Sequence, residues 1–366
     1  MAQPALDRRD YGLLGAEAEK AVEAGLKSAE WYHTDLPRKE MKELMKRSDG
    51  AAIRDTIIWL GLMIVFAGLA IFLWPSWWAA LPLAAYGVLY GSATDSRWHE
   101  CGHGTAFRTQ WMNSAVYQIA SFMIMRNPTR WRWSHTRHHT DTLIVGLDPE
   151  IAVMRPPALF RVLLGFVGVL DAWDAMKTMV INAWGHVSAE EKTFIPETEW
   201  PKVILTARIW LVIYAATIAL AVILGSWLPI VLVGLPRLYG AWHHVLTGLM
   251  QHGGLADNML DHRMNSRTVH INPISRFIYW NMNYHVEHHM FPMVPYYALP
   301  KLHAMIRHDL PAPTPSIWAC YKEMIPAWLR QLRGENYFLV RKLPDSAKPY
   351  RPELHGQTPA AAAAAE

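Results

Sequence analysis

Cysteine is nearly absent: Cys101 and Cys320 are the whole supply in 366 residues. Two thiols exclude a disulfide framework and a four-cysteine iron–sulfur or rubredoxin-type site. Any redox chemistry must therefore draw its electrons from another protein. Charge is missing over long stretches. No ionised side chain lies between Asp55 and Asp95, a run of 39 residues, and none from 209 to 236. The net charge of +4 is too small to argue for nucleic acid as a partner. The opening residues, MAQPALDRRDYGLLGAEAEK, lack the apolar core of a secretory signal, so no signal peptide is expected.

What is abundant points to a bilayer. Apolar residues make up 52% of the chain and Trp numbers 18, and Trp suits the headgroup level of a membrane. The first uncharged run is long enough for two spans at about 20 residues each. The sequence WPSW at 74–77 divides it, because Pro75 cannot continue a helix. Spans are expected near 56–74 and 78–97. Gly225, Ser226 and Pro229 divide the second run, giving spans near 205–225 and 228–249. Residues 159–181 carry Arg161, Asp171, Asp174 and Lys177 and are expected to form an amphipathic helix lying in the interface.

Neither connecting turn contains Lys or Arg. The flanking cations, from Arg38 to Arg54 and from Arg97 to Arg137, lie on the opposite side. The positive-inside rule then places both termini and residues 98–204 in the cytoplasm, with a bacterial inner membrane as the expected location. The expected fold is an all-α membrane protein. Four transmembrane helices form two hairpins, and a cytoplasmic helical cap holds a histidine-rich di-metal site. Residues 1–54 form an N-terminal helical segment, 55–310 the catalytic domain and 311–366 a C-terminal segment, disordered from about 345.

Nine of the 18 histidines form a pattern: His99-Glu-Cys-Gly-His103, His135-Thr-Arg-His138-His139, His285-Val-Glu-His288-His289, and His252 in LMQHGG. Pairs at i,i+3 and i,i+4 share one helical face. Imidazole is neutral at pH 7, so many can be gathered without building up charge, and it suits iron, zinc, copper and nickel. Each cluster follows an even number of expected spans, which puts all of them on one membrane face. A single histidine is more often a cap or a surface group. Nine on one face are too many for one ion and enough for two, with positions left for oxygen or water.

The segments HECGH, HTRHH and NYHVEHHMFP resemble the three histidine boxes of the membrane fatty-acid desaturase and hydroxylase superfamily. The resemblance covers roughly residues 55 to 305, and WNMNYHVEHHMFPMVPYYALPKLH is its most specific part. The box spacings look like the acyl-lipid desaturase pattern. Bacterial oxygenases that hydroxylate or demethylate small substrates look similar. The resemblance implies a di-iron site ligated by His99, His103, His135, His138, His139, His285, His288 and His289. A further ligand falls at His252, with His244 as competitor. It also implies O2-dependent oxidation of a C–H bond in a lipid or alkyl substrate. Electrons would come from a separate ferredoxin- or rubredoxin-type donor with its reductase. Desaturation removes two neighbouring hydrogens and yields an alkene and water; hydroxylation yields an alcohol, which on an N- or O-methyl group collapses to formaldehyde.

Carboxylates near the boxes include Glu100, Glu287 and Asp141. Asp148 and Glu150 are candidates to hold the outer nitrogens of ligating histidines. The other reading of GLDPE is a helix N-cap before Pro149. Cys101 points away from the direction of His99 and His103 and is read as a packing residue. Arg237, inside the fourth apolar stretch, is either functional or a snorkelling side chain. Arg130 and Arg132, interleaved with Trp131 and Trp133, are candidates for docking an acidic electron carrier, with Arg126, Arg137, Arg263, Arg267 and Arg276 nearby. Binding of lipid phosphates is the competing reading. A metal-binding or transport protein is the rival class. It is disfavoured because the boxes lie outside the uncharged runs, whereas transport sites sit near the bilayer midplane.

Overall fold

The structure, a computed structural model, describes residues 9–334 and 336–350. Among these residues the chain is helical, with only two isolated β-bridges. Two short helices, α1 (Ala16–Glu23) and α2 (Arg38–Leu44), precede the first apolar run. The run itself forms α3 (Asp49–Leu73), started by Ser48, whose side chain accepts the amide of Gly50. Its 25 residues extend about 37 Å, enough to cross a ~30 Å hydrocarbon core. It stops at Trp74, before Pro75.

After α3 come α4 (Ala80–Gly91), α5 (Ala93–His103), α6 (Gln110–Met123) and α7 (Pro128–Thr140). Then follow α8 (Leu159–Gly165), α9 (Val169–Ala183) and the long apolar α10 (Trp200–Ile223). The remainder is α11 (Leu228–Leu232), α12 (Pro236–Tyr239), α13 (Trp242–His252), α14 (His262–Asn265), α15 (Pro273–Tyr279), α16 (His285–Met290), α17 (Leu299–Ile306) and α18 (Ile317–Leu332).

Two helical stretches, Arg38–Leu73 and Glu197–Ile223, are long and apolar enough to cross a membrane. Only 11% and 17% of their most apolar windows are buried. A core helix of a soluble protein would be mostly buried. These instead expose Ile57, Ile64, Phe72, Val212 and Ile223, which requires an apolar surrounding.

The expected spans 78–97 and 228–249 are not continuous helices. The first breaks at Ser92, between α4 and α5. The second breaks at Gly234, which has φ +96°, and again between α12 and α13. The two broken segments are packed into each other. A Cβ on Gly240 would lie 1.8 Å from the Gly87 carbonyl oxygen, and one on Gly91 would lie 2.7 Å from that of Pro236. Only glycine permits this approach. Ser92 Oγ donates to the Gly240 carbonyl at 2.5 Å and accepts the His244 amide at 2.9 Å. Backbone groups freed by the breaks are thus satisfied by the neighbouring segment, as apolar surroundings require.

The segment 159–181 is two helices, α8 and α9, joined at Gly168 with φ +63°. Phe160, Leu163, Trp173 and Trp184 stand out from it, exposed. The main core packs Trp59, Tyr117 and Trp280 against α4–α6 and α15–α17. Arg97 is enclosed by the rings of Trp59, Phe277 and Trp280 and donates to the carbonyls of Ala93 and Ile278. Asp309 ties the segments at 32–34 and 348 to Arg263 of α14. It accepts from Tyr32 Oη, Thr34 Oγ1, Arg263 Nη1 and the Lys348 amide. Residues 345–350, expected to be disordered, are held here. Tyr350 Oη bonds the Arg341 carbonyl and its ring lies under Arg263. Residues 351–366 of that expected tail lie outside the described residues.

Candidate metal centre

Four short helix ends deliver the histidines. His99 and His103 occupy the last turn of α5, which Gly104 terminates in the left-handed region at φ +68°. Asn127 caps α7 through Thr129 and Arg130, and Pro128 fills its first position, where no N–H is needed. That start sets the phase presenting His135, His138 and His139. His252 is the last residue of α13, and α16 carries His285, His288 and His289.

Two groups form. His99, His103, His135, His139 and His288 place one ligand atom each within 4.8 Å of one another. His138, His252 and His289 make the second. His285 joins it, with its Nε2 3.0 Å from that of His252 and 2.9 Å from that of His289. The groups adjoin through His139 and His289, whose ring centroids are 4.5 Å apart.

The convergence is more than hydrogen bonding can use. His135 Nε2 lies 2.9 Å from His99 Nε2, 3.1 Å from His103 Nε2 and 3.2 Å from His139 Nε2. A neutral imidazole nitrogen offers one proton or one lone pair, so it cannot satisfy three such neighbours. Lone pairs aimed at a common point are satisfied by a cation. Burial, reinforced by the neighbouring rings, holds His99, His103, His139, His285, His288 and His289 well below the usual imidazole range. Burial first and His138 second lower His252 to about 3. These seven rings are held in the neutral form that ligates a metal. Nine imidazoles in two adjoining groups, six buried and three half-buried, fit two metal ions of the kind imidazole binds.

Behind the converging histidines stand acceptors that choose the tautomer. His138 Nδ1 is 2.8 Å from Asp148 Oδ2, and His135 Nδ1 is 2.9 Å from Glu150 Oε2. Burial disfavours charge on His138, but the Asp148 charge and hydrogen bond outweigh it and raise its pKa. Burial likewise opposes ionisation of Glu150, yet His135 and His138 hold it down at about 2. No helix begins at Asp148, so it is not a helix cap. Its oxygens instead accept the amides of Leu143 and Glu150. His252 Nδ1 meets the Asn265 carbonyl at 2.8 Å, and His289 Nδ1 meets Thr142 Oγ1 at 3.2 Å. Glu100 Oε1 is 3.9 Å from His288 Nδ1, and burial raises this carboxyl to about 7. Glu287 turns away, to Thr268 and His303.

Other residues fall elsewhere. His244 lies beside Arg237, whose Nη1 is 3.4 Å from its ring, and it joins neither group. Cys101 is buried in the core and Asp141 pairs with Arg137 at 3.5 Å. The expected basic surface is smaller than the sequence implied. Arg263 and Arg267 are buried in ion pairs with Asp261, Asp309 and Glu323. Arg126 pairs with Asp95 at 2.6 Å between the rings of Trp98 and Trp131. Arg130 Nε is held by Glu191 at 2.8 Å. Arg132 remains exposed, over the Tyr117 ring, and Arg276 is exposed too. Sequence reasoning missed Thr142, Asn265 and His262. The last stacks on Trp31 at 4.3 Å and lies 5.1 Å from the His289 ring. None of the three belongs to a spaced motif.

A cavity of about 610 Å³ opens onto the centre at His99, His135, His138, His252 and His285. Trp98, Gln251, Arg237 and Arg155 also line it. Its volume suits one small-molecule substrate.

The fatty acid desaturase family model matches residues 73–321. An omega-3 fatty acid desaturase, chloroplastic, of Glycine max is 27% identical over 279 residues, 69% of this chain and 58% of its own length. An acyl-lipid omega-3 desaturase (cytochrome b5), endoplasmic reticulum, of Arabidopsis thaliana is 25% identical over 286 residues, 72% of each chain. An sn-2 acyl-lipid omega-3 desaturase (ferredoxin), chloroplastic, of Helianthus annuus is 26% identical over 318 residues, 80% of this chain and 70% of its own. The matched region contains all nine converging histidines, and the chain belongs to the fatty acid desaturase family.

Proposed function

We propose that this chain is a membrane-bound non-haem di-iron oxidoreductase that desaturates the acyl chain of a lipid at the expense of O2. The observation that carries the reading is the convergence of nine imidazoles in two adjoining groups. His99, His103, His135, His139 and His288 hold one iron; His138, His252, His285 and His289 hold the other. When bound, the irons supply O2 activation and removal of hydrogen from an unactivated carbon. The protein's own part is orientation and exclusion of water. Asp148, Glu150 and the Asn265 carbonyl fix the histidine tautomers. Trp98, packed 5.6 Å from the His135 ring, closes one wall of the reaction space.

The apolar, exposed faces of α3 and α10 support membrane insertion. The broken segments α4–α5 and α11–α13 complete two hairpins of a four-crossing fold, with the centre and both termini on the cytoplasmic side. Electrons come from a separate one-electron carrier of ferredoxin or rubredoxin type with its reductase, since Cys101 and Cys320 are both buried and unpaired. Hydroxylation or oxidative demethylation of a smaller substrate is the second reading, favoured by the charged side chains along the cavity.

The test is expression of the full chain with a ferredoxin and its reductase, followed by analysis of host lipids and methylated metabolites. New double bonds in acyl chains together with two irons per chain are the expected result. Active protein holding one iron or fewer would overturn the di-iron reading.

A further inference from the structure

The mechanism does not use Arg237. It directly follows the uncharged run 209–236 and is 3% exposed, yet it lines the cavity. Its backbone is clamped. A Cβ on Gly91 would lie 2.7 Å from the Pro236 oxygen, and one on Gly168 would lie 2.7 Å from the Arg237 oxygen. The guanidinium cannot leave for water. A buried charge needs a partner, and the one it has is poor. Asp171 Oδ2 stands 3.3 Å from Nη2, and its side chain is 53% exposed. Among the described residues its other hydrogen-bonding neighbour is the ring of His244, at 3.4 Å or more. The nearby carboxylate of Asp95 is committed to Arg126 at 2.6 Å. Asp171 is therefore a displaceable counter-ion on a fixed, cavity-facing cation.

We propose that Arg237 seats the anionic end of the substrate inside the cavity, with Asp171 as the placeholder the substrate displaces. The planar fork of arginine matches a carboxylate or phosphate oxyanion with two parallel hydrogen bonds. Both sources share that chemistry, as a free fatty acid or as a single-chain phospholipid. The inference rests on the reading that this cavity receives the substrate of the metal centre. His244, beside the guanidinium, and His252, at the centre, lie on the same helix α13. Eight residues at ~1.5 Å each put them about 12 Å apart. The carbon presented to the centre is thus about that far from the anionic end, within the chain and not at its head.

The experiment measures binding of radiolabelled palmitate, lysophosphatidic acid and neutral hexadecanamide to the full-length, metal-loaded protein in detergent. Iron is assayed on the same preparations. One of the anionic probes should bind about tenfold or more tightly than the amide; whichever does so identifies the source. Arg237→Gln should abolish that preference. Asp171→Asn, at an exposed position that leaves the fold intact, should tighten anionic binding severalfold, because the competitor is gone. Equal binding of all three probes would overturn the proposal. So would a preference surviving in Arg237→Gln, or weaker or unchanged binding in Asp171→Asn. Absence of any anion preference in the unsubstituted protein with iron present rejects the seat alone. Preserved preference in protein unable to hold iron rejects the di-iron reading alone.

Discussion

His138 directs its Nδ1 to Asp148 Oδ2 at 2.8 Å, and the same oxygen accepts the Leu143 amide at 2.8 Å. The carboxylate is fixed by backbone on one side and fixes the imidazole on the other, leaving Nε2 free to face the centre. Asp148→Ala should lower metal affinity about 10- to 100-fold, read by competition with a chelator. Asp148→Asn keeps an acceptor without the charge and should fall between. Unchanged affinity in Asp148→Ala would show that the carboxylate serves only the turn at 143–150.

His252 and His244 sit on the same helix, two turns apart, and have different fates. His252 Nε2 is 3.0 Å from His285 Nε2; His244 faces Arg237. His252→Ala should remove activity and the metal of the second group, while the melting temperature in detergent changes little. His244→Ala should keep two metals per chain and lose less activity. Metal analysis and product yield measured side by side check this, and the reverse ranking would exchange their roles.

The convergence of the box histidines was legible in the sequence, because helical spacing acts on each box locally. The sequence displayed Asp148 and Glu150 for the same reason, since both follow α7 within one loop. The breaks in the second and fourth apolar runs were harder to read. Gly91 and Gly240 look like ordinary glycines in a hydrophobic run. Only the contact between segments some 150 positions apart shows that they admit backbone against backbone. The basic residues misled for a similar reason. Arg263 and Arg267 resemble surface cations in sequence, whereas their partners Asp309 and Glu323 arrive from distant segments and draw them inside.

That close contact gives a stability prediction. A methyl group on Gly240 would lie 1.8 Å from the Gly87 oxygen and 2.1 Å from its carbonyl carbon. Backbone must move to admit it, so Gly240→Ala should cost about 1–3 kcal/mol or more. Gly248→Ala, with no atom near the added carbon, is the control. Thermal denaturation in detergent should separate the two, and equal midpoints would contradict the packing of α4 against α12–α13.

The metal-free protein should be acid-labile. Seven of the converging imidazoles have folded pKa values below the ordinary 6.5, His252 at about 3. Below pH 6.5 the unfolded chain takes up protons that the folded chain refuses, so stability falls as pH falls. The stabilisation is complete above 6.5 and is lost progressively toward 3. Glu150, held at about 2, adds in the same direction below its ordinary 4.5. His138 and Glu100, both raised, act in the opposite sense but are outnumbered. The melting midpoint of metal-free protein should drop between pH 7 and pH 5. A flat or rising midpoint would show that the imidazoles are protonated in the fold.

Electron supply separates the two arginines that the sequence treated as a pair. Arg130 is bound through Nε to the nearly buried Glu191 and lies over the Trp131 ring. Arg132, on the next turn face, is exposed, with only the Tyr117 ring beneath it. A long-range field needs a charge in solvent, not one neutralised at 2.8 Å. Arg132→Glu should therefore slow turnover driven by a ferredoxin-type carrier, most steeply at low salt. Oxidation driven by peroxide should be unaffected. Arg130→Glu puts two carboxylates together in a half-buried place and should lower stability and both activities alike. If Arg132→Glu slows both assays equally, or neither, the carrier docks elsewhere. The exposed Arg276, nine residues before the third histidine box, is then the next cation to reverse.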